Sequence, residues 1–324
     1  MNKCFSINDR AYRMVTEKII PEAESLGIGI IKQNNGTTII DMGINYPACW
    51  KAGKYFTESC LGGLGELRFG RERIGGYLVP AVAIQVTHPV IAEMSSHAAN
   101  WKLFQKGENI IISGPIRSIK GKDFYAQASS YRDSLTEKAV GMIQTTKIPD
   151  EVLTSNIADK VGVDPRNLYL LVAKTASIVG AIQVSARNVE QAMPTIYDHG
   201  FDLNNVVYAN GITPIVSIVD DEMIAYGRVN DCLIYGQETN LYVRCDDYDI
   251  EKVLEVIPMS MEENSEIFGT PFQKLFSECG NDWSKVPRGW DAPAKINFHN
   301  LSTGRTFSTG VIHEEALVRS YLGE

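Results

Sequence analysis

The sequence predicts an α/β protein of mixed α+β type, built as two α/β domains with mixed sheets. Three observations carry this expectation. The chain has 324 residues, roughly two units of ~150 residues and enough to bury a sizeable core. Paired β-rich runs flank turn residues, as in Gly29 to Lys32 and Thr37 to Asp41 across Asn34-Asn35-Gly36, and such hairpins put antiparallel pairs into the sheets. Between Leu168 and His199 a strand feeds a helix.

Taken in order, the first helix is expected over Asn8 to Leu26, with apolar residues at Ala11, Met14, Val15, Ile19 and Ala23, Asn8 as N-cap and Gly27 as stop. The Asn-Gly hairpin follows it. Val79 to Val86, Asn109 to Ser113 and Leu168 to Ala173 read as buried strands, with helices near Val90 to Trp101 and Ser177 to Met193. Leu233 to Gly236 and Leu241 to Val243 read as a hairpin before a helix near Tyr248 to Val256. Lys295 to Phe298 and Thr306 to Phe307 form the last hairpin, and a helix over His313 to Tyr321 closes the chain. The polar segment Lys147 to Asn167 sets the expected boundary: residues 1–150 as an N-terminal domain, 151–324 as a C-terminal domain, a division that shifts if the chain crosses between them.

Hydrophobic residues are 44% and charged residues 22% of the chain, which excludes a disordered or fibrous protein. With 31 Lys+Arg against 39 Asp+Glu and a net charge of -8, no basic groove for nucleic acid is expected. Six scattered cysteines (4, 49, 60, 232, 245 and 279) without C-x-x-C point to reduced thiols and a cytoplasmic location, and no apolar run approaches membrane-spanning length. Cys60-Leu61-Gly62-Gly63-Leu64-Gly65 has Arg68 where a dinucleotide fingerprint needs glycine. Gly114 to Asp123 lacks P-loop spacing, the five histidines lack metal-ligand spacing, and no G-x-S-x-G elbow occurs. No metal site and no cofactor are expected.

The segment from Ser177 to Met193 carries the chemistry. As one helix it places Ile178, Ile182, Ala186, Val189, Met193 and Ile196 on a core face, with Pro194 kinking or ending it. Gln183, Arg187 and Glu190 then share an adjoining stripe about 60° wide. An Arg three residues before a Glu on one continuous helix is the order that the helix dipole disfavours, so stability alone does not account for it. Such a pair suits water attack on an electrophilic carbon, the carboxylate taking a proton while the guanidinium orients water or the developing oxyanion.

Several motifs stand in one order along the chain: Asn35-Gly36-Thr37-Thr38-Ile39-Ile40-Asp41, Cys60 to Gly65, Ser113-Gly114-Pro115-x-Arg117, Tyr131-Arg132-Asp133, Ser177 to Arg187 with Glu190, Gly227-Arg228-x-Asn230-Asp231, and Pro271-Phe272-x-x-x-Phe276. In these the sequence resembles the methenyltetrahydromethanopterin cyclohydrolase family over nearly its whole length. The resemblance implies hydrolysis of 5,10-methenyltetrahydromethanopterin to the 5-formyl compound in one-carbon metabolism, with Arg187 and Glu190 positioning and activating water. It further implies two domains enclosing a cleft for the pterin-type substrate, substrate contacts among Gln183, Gly62, Gly63, Ser113, Arg117 and Ser185, no metal or redox cofactor, and a homotrimer. Neither nucleic acid nor membrane is an expected partner. Segments 97–100, 134–138, 259–272 and 282–286 depart from the family pattern. That would suit a paralogue acting on another cyclic amidine, or a non-catalytic pterin-binding protein.

Overall fold

The computed structural model describes residues 5–105, 108–215 and 217–323. Among them, the strands run in chain order as β1 (Gly29–Lys32), β2 (Thr38–Asp41), β3 (Gly65–Ile74), β4 (Tyr77–Val86), β5 (Trp101–Gln105), β6 (Glu108–Ser113), β7 (Ala139–Gln144), β8 (Leu168–Ala173), β9 (Val206–Pro214), β10 (Glu238–Val243), β11 (Lys295–Asn300) and β12 (Thr306–Gly310). They form two six-stranded sheets, β1-β2-β8-β7-β6-β5 and β12-β11-β10-β9-β4-β3. Both are mixed. The α/β class expected from the hairpins is the class observed.

The chain divides into two compact units, residues 1–66 with 90–183, and residues 67–89 with 184–324. The expected break near residue 150 falls inside the first unit, because β8 inserts between β2 and β7. It pairs parallel with both, Thr38 opposite Tyr169 and Ala139 opposite Leu168. Both faces of β8 are covered. Leu171 and Ala173 join one core with Val15, Ile40, Phe56 and Met142, while Leu168, Leu170 and Val172 join another with Ile39, Ile112 and Ile157. That double burial is why its sequence is an unbroken apolar run.

The first helix starts one residue earlier than expected, as Ile7–Met14, and its N-cap is Ser6, whose hydroxyl accepts from the Asp9 N–H. Asn8 instead reaches inward to Asp133 and the Pro115 carbonyl. A π-helical stretch, Val15–Ile19, and a short helix ending at Gly27 (φ 65°) complete this element. The Asn-Gly hairpin is present as β1 and β2. Residues 90–97 are helical, as a π-helix.

In the second unit β9 and β10 are antiparallel, and β10 and β11 are parallel. On β10, Thr239, Leu241 and Val243 are buried while Glu238, Asn240 and Tyr242 are half-buried, the alternation of a strand with unlike faces. The expected hairpin across Leu233 to Val243 is not formed. Residues Glu222–Gly236 are one helix, capped by Asp221, and only β10 follows as a strand. Ala225, Val229, Cys232 and Gly236 recur at helical spacing, and nearly every residue from 229 to 236 is buried, which hides the periodicity in the sequence. The helix expected over Tyr248 to Val256 is shorter, Asp247–Glu251. The β11–β12 hairpin and the final helix, Glu314–Leu322, are as expected. Its core joins Ile234, Tyr235, Phe272, Leu275 and Leu317 from three helices.

Candidate active site

The helix expected over Ser177 to Met193 is broken into Ile178–Ser185 and Asn188–Asp198, with Arg187 between them. The Arg187 N–H closes the first helix on the Val184 carbonyl (2.9 Å), and the Arg187 carbonyl opens the second by accepting from Gln191 (2.8 Å). Asn188 enforces the break. Its amide donates to Thr213 Oγ1 (3.0 Å), its Oδ1 accepts from the Val189 N–H (2.8 Å), and its carbonyl accepts from Thr239 Oγ1 (3.0 Å). These bonds pin the start of the second helix to β9 and β10. Gly211 makes the approach feasible, since a Cβ there would lie 2.3 Å from Asn188 Oδ1.

The break changes the meaning of the Arg-x-x-Glu spacing. Glu190 stands in the first turn of its own helix, where the dipole and the unpaired N–H groups favour a carboxylate. The disfavoured order read from a continuous helix therefore does not apply. Arg187 Nη1 and Glu190 Oε2 are 3.5 Å apart, with side chains 12% and 17% exposed. That is longer than the about 2.7–2.9 Å of a tight charge-assisted hydrogen bond. The pair is sheltered yet loosely closed. Pro194 lies inside this helix and offers no N–H to the Glu190 carbonyl one turn before it.

A second charged group, from the far end of the chain, is bonded to Gln191, the residue after Glu190. Asp291 Oδ1 accepts from the Gln191 amide (2.7 Å) and Oδ2 from Arg288 Nη1 (3.1 Å). Arg288 also binds Asp198 (2.8 Å) and Thr195 (3.2 Å). Burial pushes the Asp291 carboxyl up to about 6 against the pull of Arg288 and the Gln191 bond, with Glu190 raising it and Arg187 lowering it. The Tyr226 phenol is raised by burial and then by Asp291, with Arg187 opposing. Its ring packs with Phe276 (5.0 Å) and Trp283 (6.1 Å between centroids). Asp291, Arg288, Gln191 and Tyr226 were not legible as site residues, because no local spacing links 226 or 288–291 to 187–190.

The other candidates are distributed differently. Gln183 is buried and donates to Gln144 Oε1 (2.9 Å) within the first unit, so the expected three-residue helical stripe does not form. Ser185 is 1% exposed. Ser113 accepts from the Cys60 thiol at 3.5 Å. Arg117 does not present its guanidinium for a substrate: its side chain is fully buried, paired with Asp123 and bonded to the Ser96 carbonyl. Gly62 and Gly63 have φ near +64° and +65°. Their N–H groups are bonded to the Ser59 (3.0 Å) and Glu58 (2.9 Å) carbonyls. These glycines terminate the helix Trp50–Cys60, and their amides are occupied by it rather than offered to a ligand. Cys49, Cys60, Cys232, Cys245 and Cys279 are free thiols; Cys4 lies outside the described residues.

Fold and site together define an α/β protein of two mixed sheets, with a carboxylate and a guanidinium sheltered side by side at a helix start. Among known proteins, residues 6–321 match the family model described as Cyclohydrolase (MCH). The chain is 35% identical over 326 residues to the methenyltetrahydromethanopterin cyclohydrolase of Methanocaldococcus jannaschii, covering 97% of this chain and 98% of that protein. It is 34% identical over 320 residues to the protein of that name from Methanosarcina barkeri (98% of each chain). To the one from Methanothermobacter marburgensis it is 34% identical over 325 residues, covering 98% and 99%. The chain belongs to this cyclohydrolase family.

Proposed function

We propose that this protein hydrolyses 5,10-methenyltetrahydromethanopterin to 5-formyltetrahydromethanopterin. The observation that carries the reading is the sheltered, loosely closed Arg187–Glu190 pair at a helix start, in a chain aligned end to end with relatives of that name. The methenyl bridge is an amidinium cation, so its carbon is already electrophilic. Water attacks that carbon, and Glu190 accepts one of its protons as the C–O bond forms. Arg187 orients the water and stabilises the oxygen of the tetrahedral intermediate. The bond from the bridge carbon to N10 then breaks, N10 keeps the electron pair and takes the proton held by Glu190, the hydroxyl gives up its proton to solvent as the carbon becomes the N5-formyl group, and one net proton is released. The proposed step calls on no metal and no cofactor. This reading favours the main function over an altered substrate or a silent binding role, since the relatives named above carry the one name.

The test is loss of the methenyl absorbance on mixing with purified protein. Glu190→Gln is expected to lower kcat by about 10²–10⁴, the usual worth of a general base; unchanged turnover would remove Glu190 from the mechanism. We further infer a cytoplasmic homotrimer, which light scattering checks. Among the described residues, no helix is long and apolar enough to cross a membrane.

A further inference from the structure

The pin that breaks the helix at Asn188 extends beyond the bonds Asn188 itself makes. On the sheet beneath it, Glu238 of β10 lies opposite Ile212 of β9, and a Cβ on Gly236 would lie 2.8 Å from the Pro214 ring. The residue between them, Gln237, therefore stands opposite Thr213. Alternation along the strand turns Gln237 to the same face as Thr239, and Gln237, Thr213 and Thr239 are all 0% exposed. The rest of that face is apolar, with Ile84 opposite Gly211, Ile296 opposite Thr239, and Val82 opposite Thr213.

Gln237 is out of place in such a layer. Neither its Nε2 nor its Oε1 has a hydrogen-bond partner in the protein, and among the described residues it is the one buried side chain with two polar atoms in that state. Burying an amide with both ends unmet is costly. Across from it, Thr213 Oγ1 accepts from the Asn188 amide (3.0 Å) and keeps its own hydrogen to give.

We propose that a buried water sits between Gln237 and Thr213 and completes the pin: it accepts from Nε2–H, donates to Oε1, and accepts from the Thr213 hydroxyl that holds Asn188. Three bonds are the usual complement of an internal water. A cation would be repelled by Nε2–H and an anion by Oε1, whereas water serves both ends of the amide. Gln237 is thereby a positioning residue. Through the water and Thr213 it fixes Asn188, which follows Arg187 in the chain and opens the helical turn that bears Glu190. The bearing on turnover rests on the function proposed above; the water site itself does not.

Three measurements on the full-length protein decide it. A crystal structure is expected to show ordered water about 2.7–3.2 Å from Gln237 Nε2, Gln237 Oε1 and Thr213 Oγ1; a dry gap there, or a direct protein partner for the Gln237 amide, overturns the proposal. In denaturant unfolding, Gln237→Met strands the Thr213 hydroxyl and is expected to lower the midpoint. Thr213→Val is expected to lower it too, and the double variant to fall no further than Thr213→Val alone, since each change removes the same bridge. A midpoint unchanged or raised in Gln237→Met is the result for an amide with nothing bound, and shifts that simply add mean two separate sites; either overturns the proposal. With the methenyl pterin, Gln237→Met and Thr213→Val are each expected to lower kcat about tenfold with KM little changed, and the double variant about tenfold rather than about a hundredfold. Thr213→Ser keeps the hydroxyl and is expected to keep wild-type kcat. An unmoved kcat in Gln237→Met overturns its positioning role. Failure of wild type to turn over the pterin refutes the proposed function alone, because the crystallographic and unfolding measurements need no substrate.

Discussion

Replacing Gly211 with alanine tests whether the helix break creates the site. Gly211 lies on β9, and a Cβ there would meet Asn188 at 2.3 Å from Oδ1, 2.6 Å from Cγ and 3.2 Å from Cβ. No rotamer of Asn188 relieves a contact that includes its own Cβ, so Asn188 must move away from the sheet. Overpacking of this kind costs about 1–3 kcal/mol, and loss of the Asn188–Thr213 bond adds about 1 kcal/mol. Asn188 is bonded in sequence to Arg187 and begins the turn that bears Glu190, so the displacement passes directly to both. A shift of about 1 Å in such groups lowers turnover by about 10²-fold. Gly211→Ala should therefore lower the denaturant midpoint and reduce kcat far more than the lost folded fraction explains. Adding Asn188→Ala should recover part of the stability, as the amide contacts at 2.3 and 2.6 Å are gone and only the 3.2 Å Cβ contact stays, without recovering kcat, as the pin is gone too. A Gly211→Ala enzyme of normal stability and normal kcat would refute this account of how the break positions the pair.

Arg117→Ala leaves the Asp123 carboxylate without its buried partner and should destabilise by about 3–5 kcal/mol; a variant that melts like wild type and shows a raised KM would return Arg117 to the substrate. Gly62→Ala combines a left-handed φ with a Cβ 2.7 Å from Ile7 Cβ, whereas at Gly63 the nearest contact is 3.4 Å. The first change should thus destabilise more than the second, read by thermal melting, with KM unaltered in both. Burial lifts the Asp231 carboxyl to about 6 from 3.8, against bonds from Ser320 and the Phe272 N–H. The folded state then holds this proton more tightly than the unfolded chain. Its stabilising effect is complete below about pH 4 and is lost as pH rises through 6, by ~3 kcal/mol in all. Asp231→Asn should flatten the stability profile between pH 4 and 7; parallel profiles for variant and wild type would contradict the assignment.

The parts of the fold legible in sequence are those whose pattern is local. The bounds of β8 could be read because six residues, five of them buried and Tyr169 partly so, leave an apolar run of strand length. The Asn34-Asn35-Gly36 turn needs a positive φ that Gly36 supplies at 96°. The helix Glu222–Gly236 was misread because burial all round erases its period, leaving Leu233-Ile234-Tyr235 to look like a strand. Arg187 and Glu190 could be picked out in the sequence as neighbours, and they lie 3.5 Å apart, but the geometry that joins them could not be read there. The break between them is imposed by Thr213, Thr239 and the missing side chain at Gly211, all on strands of a sheet that the helical period cannot report. Asp291 reaches Gln191 only through folding of the last third of the chain. Arg117 and the Gly62-Gly63 pair, read in the sequence as groups that suit an anion or a ligand edge, are bonded in the fold to the Asp123 carboxylate and to a helix end.

The passage of residues 67–89 into the second unit has a consequence for synthesis. The edge of β4 that is antiparallel to β9 meets its partner only after residue 206 has emerged, a delay on the order of 10 s at ~5–20 residues per second. Through that interval the nascent chain carries Val79, Ala81, Val82, Ile84 and Val86, all destined for burial, on a strand with no sheet to join. The β1–β2 hairpin of the first unit waits comparably, from residue 41 until β8 at 168. Heterologous production should accordingly be limited by the fate of these two hairpins on the ribosome. Slower growth temperature or added holdase capacity should raise the soluble yield.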